Sequence, residues 1–151
     1  MFTSTKPYKL VVSGRIKHFI SAFGEHVISK EVEAAMTETV KKHSASVVEF
    51  HVAPQVVPLD GGAAYHEWFI EFENPPKNLK TFAADLDAAM VKQNIYYEDL
   101  ISGKILRPLI ITPLPKNTFI EYMRTQGKLG GQNKVPRLAN DRTLASLLVV
   151  R

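Results

Sequence analysis

The 151-residue sequence contains no cysteine. That excludes a disulfide framework, a thiolate nucleophile and a thiolate-ligated metal. No apolar run approaches the roughly 18 residues a membrane-spanning helix needs. The opening stretch, Met1 to Lys9, lacks the basic, apolar and small-residue order of a signal peptide. The expectations are no membrane partner and a cytoplasmic location. Familiar chemical signatures are missing too. There is no G-x-x-x-x-G-K-[ST] phosphate loop, and His66-Glu67 has no second histidine three residues beyond the glutamate. The five histidines, at 18, 26, 43, 51 and 66, show no ligand spacing, so no metal site is expected. Only His51 and His66 sit on strand candidates that could bring them together. No Ser/His/Asp set can be assigned from spacing.

What is present fits an ordinary globular domain, with 45% hydrophobic and 23% charged residues. At this length one domain with a sizeable core is expected, and no internal boundary stands out. The net charge of +4 is unevenly spread. From Lys116 to Arg151 there are seven basic residues against two acidic ones, so this tail carries +5 and the remainder −1. Such a local positive field suits a phosphorylated or carboxylate ligand, or nucleic acid.

Tyr8 to Val12 reads as a short strand, and Ile16 to Ser21 resumes an extended alternation before a turn at Phe23-Gly24. Ser29 stands as N-cap of a helix with Glu31 and Glu33 in its first turns, Val32, Ala35, Met36 and Val40 at helical period, and Lys41-Lys42-His43 at its end. Ser46 to Ala53 alternates as a half-buried strand. A Gly/Pro loop joins it to a second strand in which Trp68, Ile70 and Phe72 oppose Glu67, Glu71 and Glu73. The three glutamates read as a solvated strand face. Asn78 caps a second helix built on Leu79, Phe82, Ala83, Leu86, Ala89 and Met90. A short helical or turn segment over 94–102, a buried strand over 105–112, a third helix over 118–126 and an ending over 143–150 that reads as a short helix in preference to a strand complete the chain. The fold class that follows is α+β: a two-layer sandwich with a small, mainly antiparallel sheet and helices packed on one face.

Two segments invite a chemical reading. Ser13-Gly14-Arg15 leads through Lys17 to Ser21-Ala22-Phe23-Gly24-Glu25 and on to Glu31-Val32-Glu33, a hairpin feeding a helix with glycines where the backbone must turn. Gly127-Lys128-Leu129-Gly130-Gly131-Gln132-Asn133-Lys134-Val135-Pro136-Arg137 is a glycine loop whose backbone can approach an anion closely, with charge from Lys134 and Arg137.

Together these segments resemble the C-terminal domain of adenylate-forming enzymes, which opens on a Gly-Arg hinge and ends in a glycine-lysine loop. The closer resemblance is to the auxin-responsive acyl-acid amido synthetase family, through Ser21-Ala22-Phe23-Gly24-Glu25 and Gln132-Asn133-Lys134-Val135-Pro136-Arg137. Tyr65-His66-Glu67-Trp68-Phe69-Ile70-Glu71 looks more like its bacterial branch. The plant loop has a tyrosine directly before its lysine, where Asn133 stands here. The resemblance implies that residues 1–151 form the C-terminal lid domain of a ligase whose N-terminal catalytic domain lies outside this chain. That ligase activates a carboxylic acid with ATP and Mg²⁺, then passes the acyl group to an amino acid amine. It assigns Lys134 as the catalytic cation, with Arg15, Lys17 and Arg137 on the nucleotide side. Ser13, Gly14 and Arg15 become the hinge, and Phe23, Gly24 and Glu25 an acceptor-side loop. The implied partners are the N-terminal domain and the small acid and amino acid substrates. The competing readings are a free-standing α+β binding module that contacts nucleic acid or a protein, and a structural or oligomerising domain. Sheet aromatics on an accessible face, which RNA binding requires, are not what the Trp68 pattern offers.

Overall fold

The structure, a computed structural model, describes residues 19–127 and 135–149. The strand expected over Tyr8 to Val12 lies outside the described residues. The described part opens with a two-stranded antiparallel hairpin, β1 (Phe19–Ile20) and β2 (Val27–Ile28), in which Phe19 pairs with Ile28 and Ile20 with Val27. Helix α1 (Ser29–His43) follows without a break. Ile28 is still extended in its pairing with Phe19, and Ser29 is already helical, so the helix starts one residue earlier than the sequence implied. Ile28, not Ser29, is the N-cap. No cap side-chain oxygen is available there, and the Glu31 carboxylate takes over by accepting the Ile28 N–H at 3.1 Å.

The main sheet has the order β3 (Ser46–Gln55), β4 (Tyr65–Asn74), β5 (Ile110–Pro113), with β3 antiparallel and β5 parallel to β4. Helices α2 (Leu79–Gln93) and α3 (Ile95–Ser102) lie between β4 and β5, and α4 (Thr118–Thr125) and α5 (Thr143–Val149) follow. Asn78 caps α2 as expected, accepting the Thr81 N–H at 3.0 Å. Helices α1 and α2 run antiparallel, as the pairings Glu38–Lys92 (2.9 Å) and His43–Asp85 (2.7 Å) require.

The α+β sandwich expected from the sequence is what forms. Phe50, Val52, Trp68, Ile70 and Phe72 project from one sheet face onto Val32, Ala35 and Met36 of α1 and Phe82, Leu86 and Met90 of α2. Phe50 stacks on Trp68 with ring centroids 5.4 Å apart, and Phe72 meets Phe82 edge-on at 5.5 Å. A second, smaller cluster lies on the opposite face, where Ala53 and Phe69 meet Phe119, Tyr122 and Met123 of α4 and Ala145 and Leu148 of α5. The sheet therefore carries some helical cover on both faces.

That second cover overturns the reading of the glutamates as a solvated row. Glu71 is buried, with Oε2 accepting the Asn117 N–H (2.8 Å) and Oε1 the Phe119 N–H (3.0 Å) at the start of α4. Glu67 is largely covered, receiving the Thr112 hydroxyl and, at 2.8 Å, the Arg142 guanidinium. Only Glu73 is exposed. The strand expected over 105–112 is also different. Leu106 makes one parallel bridge to Ala64, but regular pairing begins only at Ile110, and β5 is an edge strand with Ile110 exposed. Pro108 has no N–H to give a ladder, and the Leu109 N–H goes to Asp87 (3.1 Å). Val48 breaks the alternation expected over Ser46 to Ala53, because the register shifts between Val47 and Glu49 and leaves Val48 bulged and half-exposed.

Candidate functional site

The hairpin turn is shaped by a buried acid. The Gly24 N–H reaches Ser21 O at 3.2 Å with Gly24 at φ +91°, a conformation that favours glycine. Glu25 is wholly buried. One carboxylate oxygen accepts the Phe23 N–H at 2.8 Å, closing the turn, and the other meets His66 Nε2 at 2.7 Å across the base of the hairpin. Burial alone would raise the Glu25 pKa. The hydrogen bond and charge of His66, with the backbone N–H groups of the turn, outweigh it and hold the carboxyl below its ordinary value. The His66 ring lies 5.2 Å from that of Tyr97, whose hydroxyl donates to Asp87 at 2.6 Å. Burial first, then the Asp87 and Glu25 charges, push the Tyr97 phenol well above 10. A polar chain therefore runs from the turn, through β4, to α3 and α2. Asn94 adds a second tie, accepting the Tyr97 N–H (2.8 Å) and donating to Glu31 (3.0 Å).

The other segment is described from Val135 onward. It lies along the free edge of β3, where the Val52 N–H donates to Arg137 O (2.9 Å) and the Ala139 N–H to Val52 O (3.1 Å). His51 Nδ1 donates to Pro136 O at 2.7 Å. Arg137 places Nε 2.9 Å from Glu49 and Nη1 3.4 Å from Glu33, with its guanidinium 5.0 Å over the Phe50 ring. This pairing crowns an open groove of about 280 Å³ floored by Met36, Val40, Val47 and Phe50. Val135 and Leu138 are buried, one in each apolar cluster.

The two segments meet, because the Ser21 N–H donates to Asn140 Oδ1 at 2.8 Å. Of the residues singled out in the sequence, Phe23 is half-buried, Gly24 exposed, Glu25 buried, and Arg137 is ion-paired at the rim of the groove. Ser13, Gly14, Arg15, Lys17 and Lys134 lie outside the described residues. His51 and His66 do not meet. His51 is paired with Phe69 and shares the α4/α5 face, while His66 faces Glu25 and Tyr97 on the other. Sequence reasoning missed His51, His66 and Asn140 as parts of this arrangement. Their partners stand 85, 41 and 119 residues away, beyond any local pattern. Among the described residues, no group of three or more His, Cys, Asp or Glu could hold a metal ion, and no helix is long and apolar enough to cross a membrane.

Among solved structures, the chain is similar to a GH3.15 acyl acid amido synthetase, with a TM-score of 0.70 at 16% identity over 89% of this chain. It is also similar to an AtGH3.15 acyl acid amido synthetase in complex with 2,4-DB, at TM-score 0.56 and 15% identity over 95% of this chain. At these identities the likeness is one of fold. In both cases the chain spans 26% of the length of the synthetase. No curated protein matches the sequence. The sequence profile of the GH3 family C-terminal domain matches residues 30–143, about three quarters of the chain, and the chain therefore belongs to the GH3 family through its C-terminal domain.

Proposed function

We propose that this domain is the mobile C-terminal part of an ATP-dependent ligase that adenylates a carboxylic acid and transfers the acyl group to an amino acid amine. Membership of the family through its C-terminal domain carries the reading, and the likeness to acyl acid amido synthetases more than three times as long supports it. In the first half-reaction a carboxylate oxygen bonds to the α-phosphorus of ATP and pyrophosphate leaves. In the second, the amine nitrogen bonds to the acyl carbon, AMP leaves with the electron pair of the broken C–O bond, and the amine proton passes to solvent.

Two anions must approach in the first half-reaction, and Lys134 is the cation that offsets their repulsion. Arg15 and Lys17 stand on the nucleotide side with Arg137, and Ser13-Gly14-Arg15 is the hinge about which the domain turns between half-reactions. Phe23 and Gly24 face the acceptor side. The Glu25 carboxylate, being buried, braces their turn from beneath. ATP is a co-substrate, and its fit to the described residues is partial. The Arg137 charge is matched by Glu33 and Glu49, and the groove beside it is open and apolar-floored. Most of the nucleotide and Mg²⁺ contacts therefore belong to the N-terminal domain in this proposal, and the enzyme works in the cytoplasm. The second half-reaction needs positioning of the amine more than a strong base, because the adenylate carbonyl is already electron-poor.

The complete polypeptide carrying this domain, incubated with ATP, Mg²⁺, a panel of small carboxylic acids and amino acids, is expected to yield an acyl-amino acid and AMP by mass spectrometry. Release of ADP, or nucleotide cleavage indifferent to every acid, sinks the proposal.

A further inference from the structure

We infer that Ile28, Ile95 and Tyr96 form the apolar centre of a surface on which the N-terminal portion of the same polypeptide docks. The inference rests on membership of the family through its C-terminal domain and not on the chemistry proposed above. Ile28 is 41% exposed, Ile95 64% and Tyr96 58%. Single exposed apolar residues are ordinary on a protein surface. These three are gathered by one buried side chain. Asn94, at the N-cap of α3, accepts the Tyr97 N–H at 2.8 Å and donates an Nδ2–H to Glu31 Oε1 at 3.0 Å. The same Glu31 oxygen accepts the Ile28 N–H at 3.1 Å, and Asn94 Nδ2 also lies 3.4 Å from His26 O. Two donors on one oxygen bring the end of β2 and the start of α3 within a side chain's reach.

The knot also fixes what faces outward. Tyr97 turns its ring inward against His66, which leaves Ile95 and Tyr96 on the outer side of the first turn of α3. Packing inside the domain does not ask for large apolar side chains there, since both are more than half exposed. A rigid apolar centre with charged neighbours, here the exposed Lys30 and Glu98, is the anatomy of a protein contact. Tyrosine suits such a place because its ring is apolar and its hydroxyl tolerates water. Area selects the occupant. Three side chains fall far short of the roughly 1,200–2,000 Å² that a stable contact between separate molecules buries. A covalent tether holds a partner at about millimolar effective concentration, where a small contact is enough. Contacts between domains of one chain are accordingly smaller, about 600–1,500 Å². The synthetases of like fold are more than three times as long as this chain, and family membership places the chain at their C-terminal end.

The test is hydroxyl-radical footprinting of the complete polypeptide, read by mass spectrometry at Ile28, Ile95 and Tyr96, without ligand and then with ATP and Mg²⁺. Labelling is referred to the same chain unfolded in urea. In at least one of the two conditions all three residues are expected to label several-fold less than exposures of 41, 64 and 58% allow. In the double variant Ile95→Glu/Tyr96→Glu, Ile28 is expected to regain the labelling its exposure allows, because carboxylates at the centre of the contact undock the two parts. Labelling in proportion to exposure in both conditions overturns the inference, and so does an Ile28 that stays protected in the variant. Protection that fades on dilution, while sedimentation reports a dimer, overturns it in favour of a second copy. If the variant does not fold, the wild-type footprint and its dilution series decide. Adenylation does not enter the readout, so failure of the proposed chemistry and failure of this surface are seen separately.

Discussion

Replacing Glu71 by alanine removes the cap of a helix that cannot cap itself. Asn117, at the N-cap of α4, is held at φ 72° and makes no side-chain cap bond. The first N–H groups of α4 are instead received by a carboxylate from β4, at 2.8 and 3.0 Å, on a residue only 3% exposed. Each hydrogen bond to a charged acceptor is worth about 1.5–3 kcal/mol, and an anion at a partly buried helix N-terminus gains up to about 2 kcal/mol from the dipole. Against this stands the cost of burying the charge, which the alanine variant recovers. A net loss of about 3 kcal/mol is expected, or about 6–12 °C in Tm for a chain of this size. Glu71→Gln keeps one acceptor oxygen but turns an amide N–H₂ toward a donor, and about half the loss is expected. Urea unfolding followed by circular dichroism measures both. If Glu71→Ala changes stability by less than about 0.5 kcal/mol, as a solvated strand residue would, the capping argument is wrong.

The acid limb of stability is expected to carry the signature of Glu25. Because its folded-state pKa lies below the ordinary value of 4.5, its contribution is present above that value and is lost as pH falls through the folded pKa. The urea midpoint of Glu25→Gln, measured from pH 7 down to pH 3, should start lower than wild type and converge with it at the acid end; parallel curves refute the assignment. Tyr97 is one of five tyrosines, and its buried phenol bonded to Asp87 is expected to resist ionisation. A spectrophotometric titration should therefore show it ionising only as the chain unfolds in alkali, whereas Tyr97→Phe should remove that late component and lower stability by about 1–2 kcal/mol.

Periodicity made the two-layer framework legible. The 3.6-residue spacing of Val32, Ala35, Met36 and Val40, and the alternation of Trp68, Ile70 and Phe72, are imposed by one apolar face each, and the structure buries those faces together. What lay hidden was decided at long range. The Glu67/Glu71/Glu73 row has the same pattern whether its face meets water or a helix terminus, and the partners of Glu71 come from 46 and 48 residues downstream. The Val48 bulge and the broken ladder before Ile110 depend on pairing partners and not on local propensity. Of the candidate site, the hairpin turn could be read from Phe23-Gly24 because its φ demands glycine. Its brace could not, since Glu25 looks like a surface residue until His66 is placed beside it. The glycines at 130 and 131 and Lys134 of the basic loop lie outside the described residues, and the Ser21–Asn140 bond, 119 residues apart in sequence, had no local signal.

The most direct test of the central claim is acid-dependent pyrophosphate exchange by the complete polypeptide with Lys134→Ala, run beside amide formation from a pre-made acyl-adenylate. Loss of a cation that stabilises only the first transition state is expected to cut exchange by about 10²–10³-fold and leave the second reaction near the wild-type rate. Exchange undiminished in the variant contradicts the account.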